Sequence, residues 1–579
     1  LGAFVMFVSH QWNGFNHPDP NGRQIQVLSK VLRDLRDGVH ATVGTDPFHV
    51  LLYGNDTKTH KSEWQTLLSN AYIWYDFWCQ PQPSVEEDET KRNILKKNLD
   101  LAIKSMASYV ERADTLLILV PPSVHNDLTH SETGRKMTTC YRTWRRRGLC
   151  VLEFFSCFLS RRKTHPILLV KSALETPMWI SSHECLKLAV GEGNFTCCDT
   201  NHLGHDGASS MNCSRDVARD VLTHLIAAKV KNLLLGRSGI VHARWIMTFE
   251  QFWIRGLVET KERVCTQHLD VRSFKRMLKW DEDIDGLWID REGVSLLTYA
   301  ACMDNASATK AILKSTRSMP ELNDFINTRL PKKGFTYVGI PGLCTALIGS
   351  MVVGSPNVVE ILLESGANPY ITDKNGNDPL MCACVYGRFE NVKFWLNKFR
   401  TWNLERRSKI GGTLLGCATN MGPNRFHLVK YLVSKGIIVN SSSSNGTSNL
   451  ISACANEDAD PRVIRLLLES SCDEGEINRR IRPRTMRWRG IYLLAKVSIG
   501  TGLSNSTLMQ SLAERLGRTA LFYAARRGDM EIVELLLSEG ADPSVRDDMG
   551  RSVKDVCTGF PELRGVLEKR ERKMMLRGT

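Results

Sequence analysis

No apolar run in the sequence approaches 18 residues, and no basic-then-apolar leader opens it. A spanning helix needs about 20 consecutive apolar residues, so neither a membrane span nor a signal peptide is expected. Disulfide density is also lacking. Seventeen cysteines in 579 residues is an odd count, far below that of a disulfide scaffold. They sit mostly in apolar segments such as MCACVYG at 381–387. Reduced, buried thiols in a cytoplasmic or nuclear protein fit that distribution. Nor do the basic runs (RTWRRRG at 142–148, RRK at 161–163, NRRIRPRTMRWRG at 478–490 and the C-terminal tail) carry interleaved aromatics beyond Trp144 and Trp488. The net charge of +14 therefore reads as scattered solvated surface, and nucleic acid is not an expected partner. The chain begins at Leu1 inside a strand-like run, which reads as an incomplete N-terminus.

What is present is near the globular average, with 42% hydrophobic and 24% charged residues. A chain of 579 residues exceeds what one hydrophobic core can organise, so several modules are expected.

The C-terminal half repeats. GRTALFYAARRGDMEIVELLLSEGADPSVRDDMG runs from Gly517 to Gly550, a period of 33 residues. Set against the ankyrin repeat, Gly517, Thr519 and Leu521 match the turn, Ala524 and Ala525 the first helix, Val533, Leu536 and Leu537 the second, and Gly540 to Pro543 the terminal turn. This unit resembles the ankyrin repeat, with Phe522 where that family usually has histidine. Small alanines let the paired helices approach, and the leucines need a neighbouring repeat to cover them. Further copies begin near Gly293, Gly342, Gly376, Gly412 and Gly446. The expectation is an all-α solenoid over 291–570 with six to seven repeats, insertions near 316–341 and 472–516, and a basic tail at 571–579. The resemblance implies binding of a protein partner.

The N-terminal part alternates. AFVMFVSH at 3–10, AYIWYDFWC at 71–79, TLLILVPP at 115–122 and HPILLVKS at 165–172 read as buried strands, with helix-period stretches between them. Buried strands alternating with helices predict a parallel sheet of the flavodoxin-like type, whose site lies beyond the carboxyl ends of the strands. Ser9, His10, Trp12, Asp76 and Cys79 fall there. The order of elements over 1–172, with Ser9, His10 and Trp12 after strand one, Asp76 in strand two, and Leu149, Cys150 and Glu153 against a W-C-x-x-E signature, resembles the Toll-interleukin receptor (TIR) domain. Leu149 replaces the family's aromatic residue. YIWYDFWCQPQ is also similar to a stretch of fungal heterokaryon-incompatibility domains.

In enzymatic TIR domains the matching glutamate cleaves the nicotinamide–ribose bond of NAD. The resemblance thus implies Glu153 as catalytic acid, with Ser9, His10, Trp12, Asp76 and Cys79 lining the cleft. Trp12 or Trp74 would stack on a base, and Arg145 to Arg147 would neutralise a diphosphate. In the alternative, Glu153 lies on a solvent face paired with Arg145 or Arg161, and the domain only self-associates. The sequence reading favours an interaction scaffold or sensor without cofactor, NAD being a substrate only in the enzymatic alternative.

Two further constellations stand out. His10 with Cys79 has the composition of a base and nucleophile, although Cys79 beside Trp78 reads better as a packed small hydrophobe. TCCDTNHLGHDGASSMNC gathers Cys197, Cys198, His202, His205 and Cys213, ligand types that suit tetrahedral zinc. Adjacent cysteines are awkward in one small site and the spacing matches no common finger, so reduced thiols without a metal are expected. Residues 173–290 read as a helical connector, with Ser214 capping a long helix.

Overall fold

The computed structural model describes residues 3–576 except 16, 48, 51–56, 83–85, 87, 130–133, 135, 162–165, 200–201, 203–212, 237–238, 260–267, 281–287, 421, 423–424, 472, 474, 505 and 558–559. Two compact units result: Leu1–Asp46, Asn55–Arg317 and Phe335–Ile340 form the first, and Pro47–Gly54, Ser318–Gly334 and Pro341–Thr579 the second.

The described strands of the first unit are β1 (Phe4–His10), β2 (Thr42–Gly44), β3 (Lys58–His60), β4 (Ala71–Tyr75), β5 (Thr115–Leu119), β6 (Ser123–Thr129), β7 (Lys136–Thr139), β8 (Ile167–Val170) and β9 (Met178–Ile180). The main sheet has the order β4-β1-β5-β8-β9. Its first four strands are parallel, and β9 runs antiparallel on β8. The parallel sheet is thus present with one antiparallel edge, and two small antiparallel pairs, β2–β3 and β6–β7, are additions that the sequence pattern did not suggest.

Side-chain alternation along β1 assigns the two faces. Met6 and Val8 join Leu28, Val31 and Leu35 of the helix Arg23–Arg36 and Trp64 of the helix Lys61–Leu68 in one core. Each such buried side chain contributes about 1.5–3 kcal/mol of apolar transfer. Phe7 and Ser9 point to the other face, where Phe7 stacks on Trp74 with ring centroids 4.2 Å apart. Strand β5, fully buried, lies in the middle.

AYIWYDFWC is not a buried strand throughout. Pairing ends at Tyr75, a helical turn spans Asp76–Cys79, and Tyr72, Ile73, Trp78 and Cys79 are exposed because β4 is the sheet edge. Exposure of Cys79 overturns its reading as a packed hydrophobe. Of the expected helical connector 173–290, Met178–Ile180 is instead the sheet's edge strand β9, and helices follow over Ser214–Leu235, Ile240–Trp253 and Val271–Met277. The N-cap of the first is Cys213, and Ser214 is its first helical residue, so Ser214 is not the cap. Arg244 donates to the carbonyls of Leu278 and Lys279 at 3.1 and 2.9 Å and lies 4.4 Å over the ring of Trp280. Tyr299 donates to Asp290 at 2.9 Å, which holds the first repeat-like helix, Leu296–Cys302, within this unit.

In the second unit, helix pairs recur: Ala346–Val353 with Pro356–Glu364, Pro379–Val385 with Phe389–Lys398, Leu414–Asn420 with Phe426–Ser434, Asn449–Ala455 with Pro461–Glu469, and Ala520–Arg526 with Met530–Ser538. Thr345, Asp378 and Ser448 cap first helices by accepting from the backbone N–H three residues on. Gly540 ends the helix Met530–Ser538 at φ 96°, a conformation that favours glycine. The helix Asn449–Ala455 packs directly on Ala520–Arg526, so repeat stacking continues across the insertion between them. Arg527 secures that junction, donating to the carbonyls of Cys454 and, at 2.6 Å, Asn456.

Within that insertion lies a helical hairpin, Met486–Gly500 and Thr507–Arg515, closed around Trp488, Tyr492, Ala495, Leu512 and Ala513. It packs against the turn tips of the repeats. Trp488 Nε1 donates to Ile410 O at 3.3 Å and Tyr492 donates to Asn445 O at 3.2 Å.

Candidate functional site at the strand ends

Strand β1 ends in Ser9 and His10, and alternation sends these two side chains to opposite faces of the sheet. Ser9 meets the helix Gly148–Phe158, while His10 meets the helix Arg23–Arg36. Trp144 Nε1 donates to Ser9 Oγ at 2.9 Å, and Ser9 Oγ in turn donates to Glu153 Oε2. The expected pairing of Glu153 with Arg145 or Arg161 does not form. Arg145 Nη2 lies 3.1 Å from Glu184 Oε2, and Arg161 binds Glu111.

Glu153 is largely enclosed but keeps some exposure. Burial raises its pKa to about 8, the bond from Ser9 partly opposes that rise, and the negative charge of Asp76 adds to it. It is therefore mainly protonated at neutral pH. Cys150, one turn before it, is pushed far up by burial and donates to His10 O at 3.7 Å, which makes it an inert packing residue.

On the other side, His10 Nε2 sits 2.8 Å from Asp76 Oδ1, and Nδ1 sits 2.9 Å from Gln24 Oε1. Trp12 Nε1 donates to Asp76 Oδ2 at 2.7 Å, and Phe77 N donates to Asp76 Oδ1 at 2.6 Å. Burial alone would raise the Asp76 pKa, but His10, Trp12 and Phe77 together hold it below the ordinary value. Asp76 thus stays ionised while Glu153 holds its proton: two carboxyl groups with divergent titration at one sheet end.

Of the residues expected here, Ser9 and Glu153 are bonded on one face of the sheet end, and His10, Trp12 and Asp76 on the other. Cys79 is exposed, and both His10 ring nitrogens are engaged by Asp76 and Gln24, so no His10–Cys79 pair exists. Trp74 is stacked between Phe7 and Tyr109. Arg145 is buried on Glu184 and lies over the Tyr141 ring. The sequence reading missed Gln24, Trp144 and Tyr75, whose ring stacks on His10 with centroids 4.2 Å apart. Gln24 had no signal beyond its place at the start of a helix.

Two other concentrations of polar groups occur. Cys197, Cys198, His202 and Cys213 bring their ligand atoms within 4.8 Å of one another, whereas His205 lies outside the described residues. In the second unit, a cavity of 110 Å³ lies beneath the inserted hairpin, lined by Tyr386, Asn445, Thr447, Asn449, Trp488 and Arg515 among others.

Residues 516–548 match the family model described as Ankyrin repeat, which spans the pair Ala520–Arg526 and Met530–Ser538. Solved structures that resemble the chain include the ankyrin repeat domain of Bcl-3, described as a unique member of the IkappaB protein family, at 20% identity and TM-score 0.31, over 48% of this chain and 100% of that one. The human ASB11 ankyrin repeat domain matches at 18% identity and TM-score 0.34, over 48% and 98%. One chain of the structure of the Bd0816 predatory endopeptidase from Bdellovibrio bacteriovorus in complex with immunity protein Bd3460 matches at 22% identity and TM-score 0.27, over 37% of this chain and 91% of that one. No curated protein matches the chain. Among the described residues no helix is long and apolar enough to cross a membrane.

Proposed function

We propose that this ankyrin-repeat protein is an intracellular interaction scaffold or signalling sensor, and that its partner docks on the hairpin inserted in the array. One observation carries this reading: the helix Met486–Gly500 is apolar on both faces. Trp488, Tyr492 and Ala495 are buried, while Met486, Leu493, Leu494 and Val497 face outward, Leu493 and Leu494 at 64% exposure. At 100° per residue, Arg489 and Lys496 flank the outward patch on one side and Arg487 on the other. Between 477 and 513 there are seven basic residues and no acidic one. An exposed apolar patch with a basic rim is complementary to an acidic amphipathic helix, which would dock by helix-in-groove anchoring. An acidic amphipathic helical peptide should bind the full chain with affinity that falls as salt rises, and L493D should abolish binding. Salt-insensitive binding unchanged in L493D, or binding only to anionic vesicles, would overturn the reading.

A second reading concerns the strand ends, where the resemblance to TIR domains proposes self-association and cleavage of the nicotinamide–ribose bond of NAD. The observation in its favour is the orientation of Glu153 toward Ser9 at the end of β1, with Asp76 near enough to raise its pKa. A substrate carrying a cationic ring would lower that pKa, ionise Glu153 and set a carboxylate against the developing oxocarbenium centre. Nicotinamide release by the purified chain, rising with pH toward about 8 and lost in E153A, supports the reading. Release undiminished in E153A removes Glu153 from any such reaction, and no release at any pH overturns the enzymatic reading.

A further inference from the structure

We propose that Cys197, Cys198, His202 and Cys213 hold one tetrahedral zinc ion that staples the framework around Glu153. The Sγ atoms of Cys197 and Cys198 are 3.9 Å apart, those of Cys198 and Cys213 are 4.0 Å apart, and all four ligand atoms lie within 4.8 Å of one another. A zinc ion with Zn–S bonds near 2.3 Å sets tetrahedral ligands roughly 3.8 Å apart, so these thiols already sit at the edges of such a shell. Adjacency of Cys197 and Cys198 is no obstacle, because the two Sγ atoms already lie only 3.9 Å apart.

The fourth ligand provides an independent sign. His202 adopts φ 61°, unfavourable for a residue other than glycine, and its backbone N donates to Cys197 O at 2.6 Å. The strained turn folds the imidazole back over the thiols. Its Nδ1 is buried and has no hydrogen-bond partner. One ring nitrogen of His202 lies within 4.8 Å of the three sulfurs, and three sulfurs with one imidazole select zinc over magnesium or calcium.

Three thiolates around a dication leave one net negative charge, which the surroundings complement. Cys213 is the N-cap of the 22-residue helix Ser214–Leu235, and Ser214 N donates to Cys197 Sγ at 3.3 Å. Four protein ligands close the coordination shell, so the role is structural.

The position gives that role a consequence. Just upstream, Asn194 N donates to Arg146 O at 2.6 Å and Gly148 N donates to Asn194 O at 3.0 Å. Phe195 packs so tightly on Gly148 that a Cβ there would lie 2.2 Å from its ring. The ion would tie the start of the helix Ser214–Leu235 to the segment that fixes the start of the Glu153 helix.

Metal analysis of the full chain, purified under reducing conditions and incubated with zinc, should find one zinc per chain, and C198S and C213S should lose it. Cobalt(II) in place of zinc should give the intense visible bands of a tetrahedral thiolate site, a readout on the wild-type chain that stands even if the variants fail to fold. Chelation should speed alkylation of Cys198. A metal-free wild-type chain, a cobalt spectrum of the six-coordinate aqueous ion, or a Cys198–Cys213 disulfide found under reducing conditions would overturn the proposal.

Discussion

Replacing Glu153 by Gln removes an ionisable group while keeping an oxygen that accepts from Ser9. The folded chain holds the Glu153 proton up to about pH 8, whereas the unfolded chain releases it near the ordinary 4.5. Between those values the folded state binds more protons. The stability this contributes is full below pH 4.5 and is lost as pH rises through 8. The rise from 4.5 to about 8 corresponds to an upper limit of roughly 5 kcal/mol. The remaining exposure of Glu153 and relaxation around the charge reduce this to about 2–4 kcal/mol. Urea unfolding of wild type and E153Q from pH 5 to pH 9 isolates the residue, because every other titrating group is common to both chains. The stability of wild type relative to E153Q should fall by about 2–4 kcal/mol across that range. Parallel curves, within about 0.5 kcal/mol, would refute the claim that the carboxyl is desolvated.

Gly148→Ala sets a Cβ into the Phe195 ring and should lower the thermal midpoint of the first unit by an overpacking cost of about 1–3 kcal/mol. Arg527→Ala removes the charged donor that joins the repeats across the insertion, and chemical denaturation should register a loss of about 1.5–3 kcal/mol. Gly446→Ala combines φ 89° with a Cβ 2.0 Å from Arg482 O, and should cost at least about 2 kcal/mol while raising hydrogen exchange in the hairpin 486–515.

The repeat half was legible in the sequence because its period, its alanines and its terminal glycines each have a local physical cause. Gly517 to Gly550 needed no tertiary information. The strands β1, β5 and β8 were legible as apolar runs for the same reason. Strand β4 was misjudged: AYIWYDFWC has the composition of a buried strand, and only the strand order shows that Tyr72 and Ile73 lie on an edge. The hairpin 486–515 was hidden because its helix is apolar on both faces and so lacks the polar stripe that marks a surface helix. At the site, Ser9, His10, Trp12 and Asp76 are legible by their place at strand ends, and Glu153 only through the resemblance to the TIR signature. The partners that decide their chemistry, Trp144 and Gln24, lie 135 and 14 residues away from theirs, and no local pattern connects them. The cysteine cluster is not legible because its spacing matches no common finger, and only the fold shows the Sγ atoms of Cys197, Cys198 and Cys213 lying together.

The scaffold reading is tested most directly by selecting peptides from an unbiased displayed library on the full chain and counter-selecting on the L493D/L494D variant. The account predicts enrichment of acidic sequences with apolar residues at i, i+3 or i+4 and i+7, retained by wild type and lost by the variant. Enrichment of sequences that bind both chains equally, or no enrichment on wild type, would contradict it.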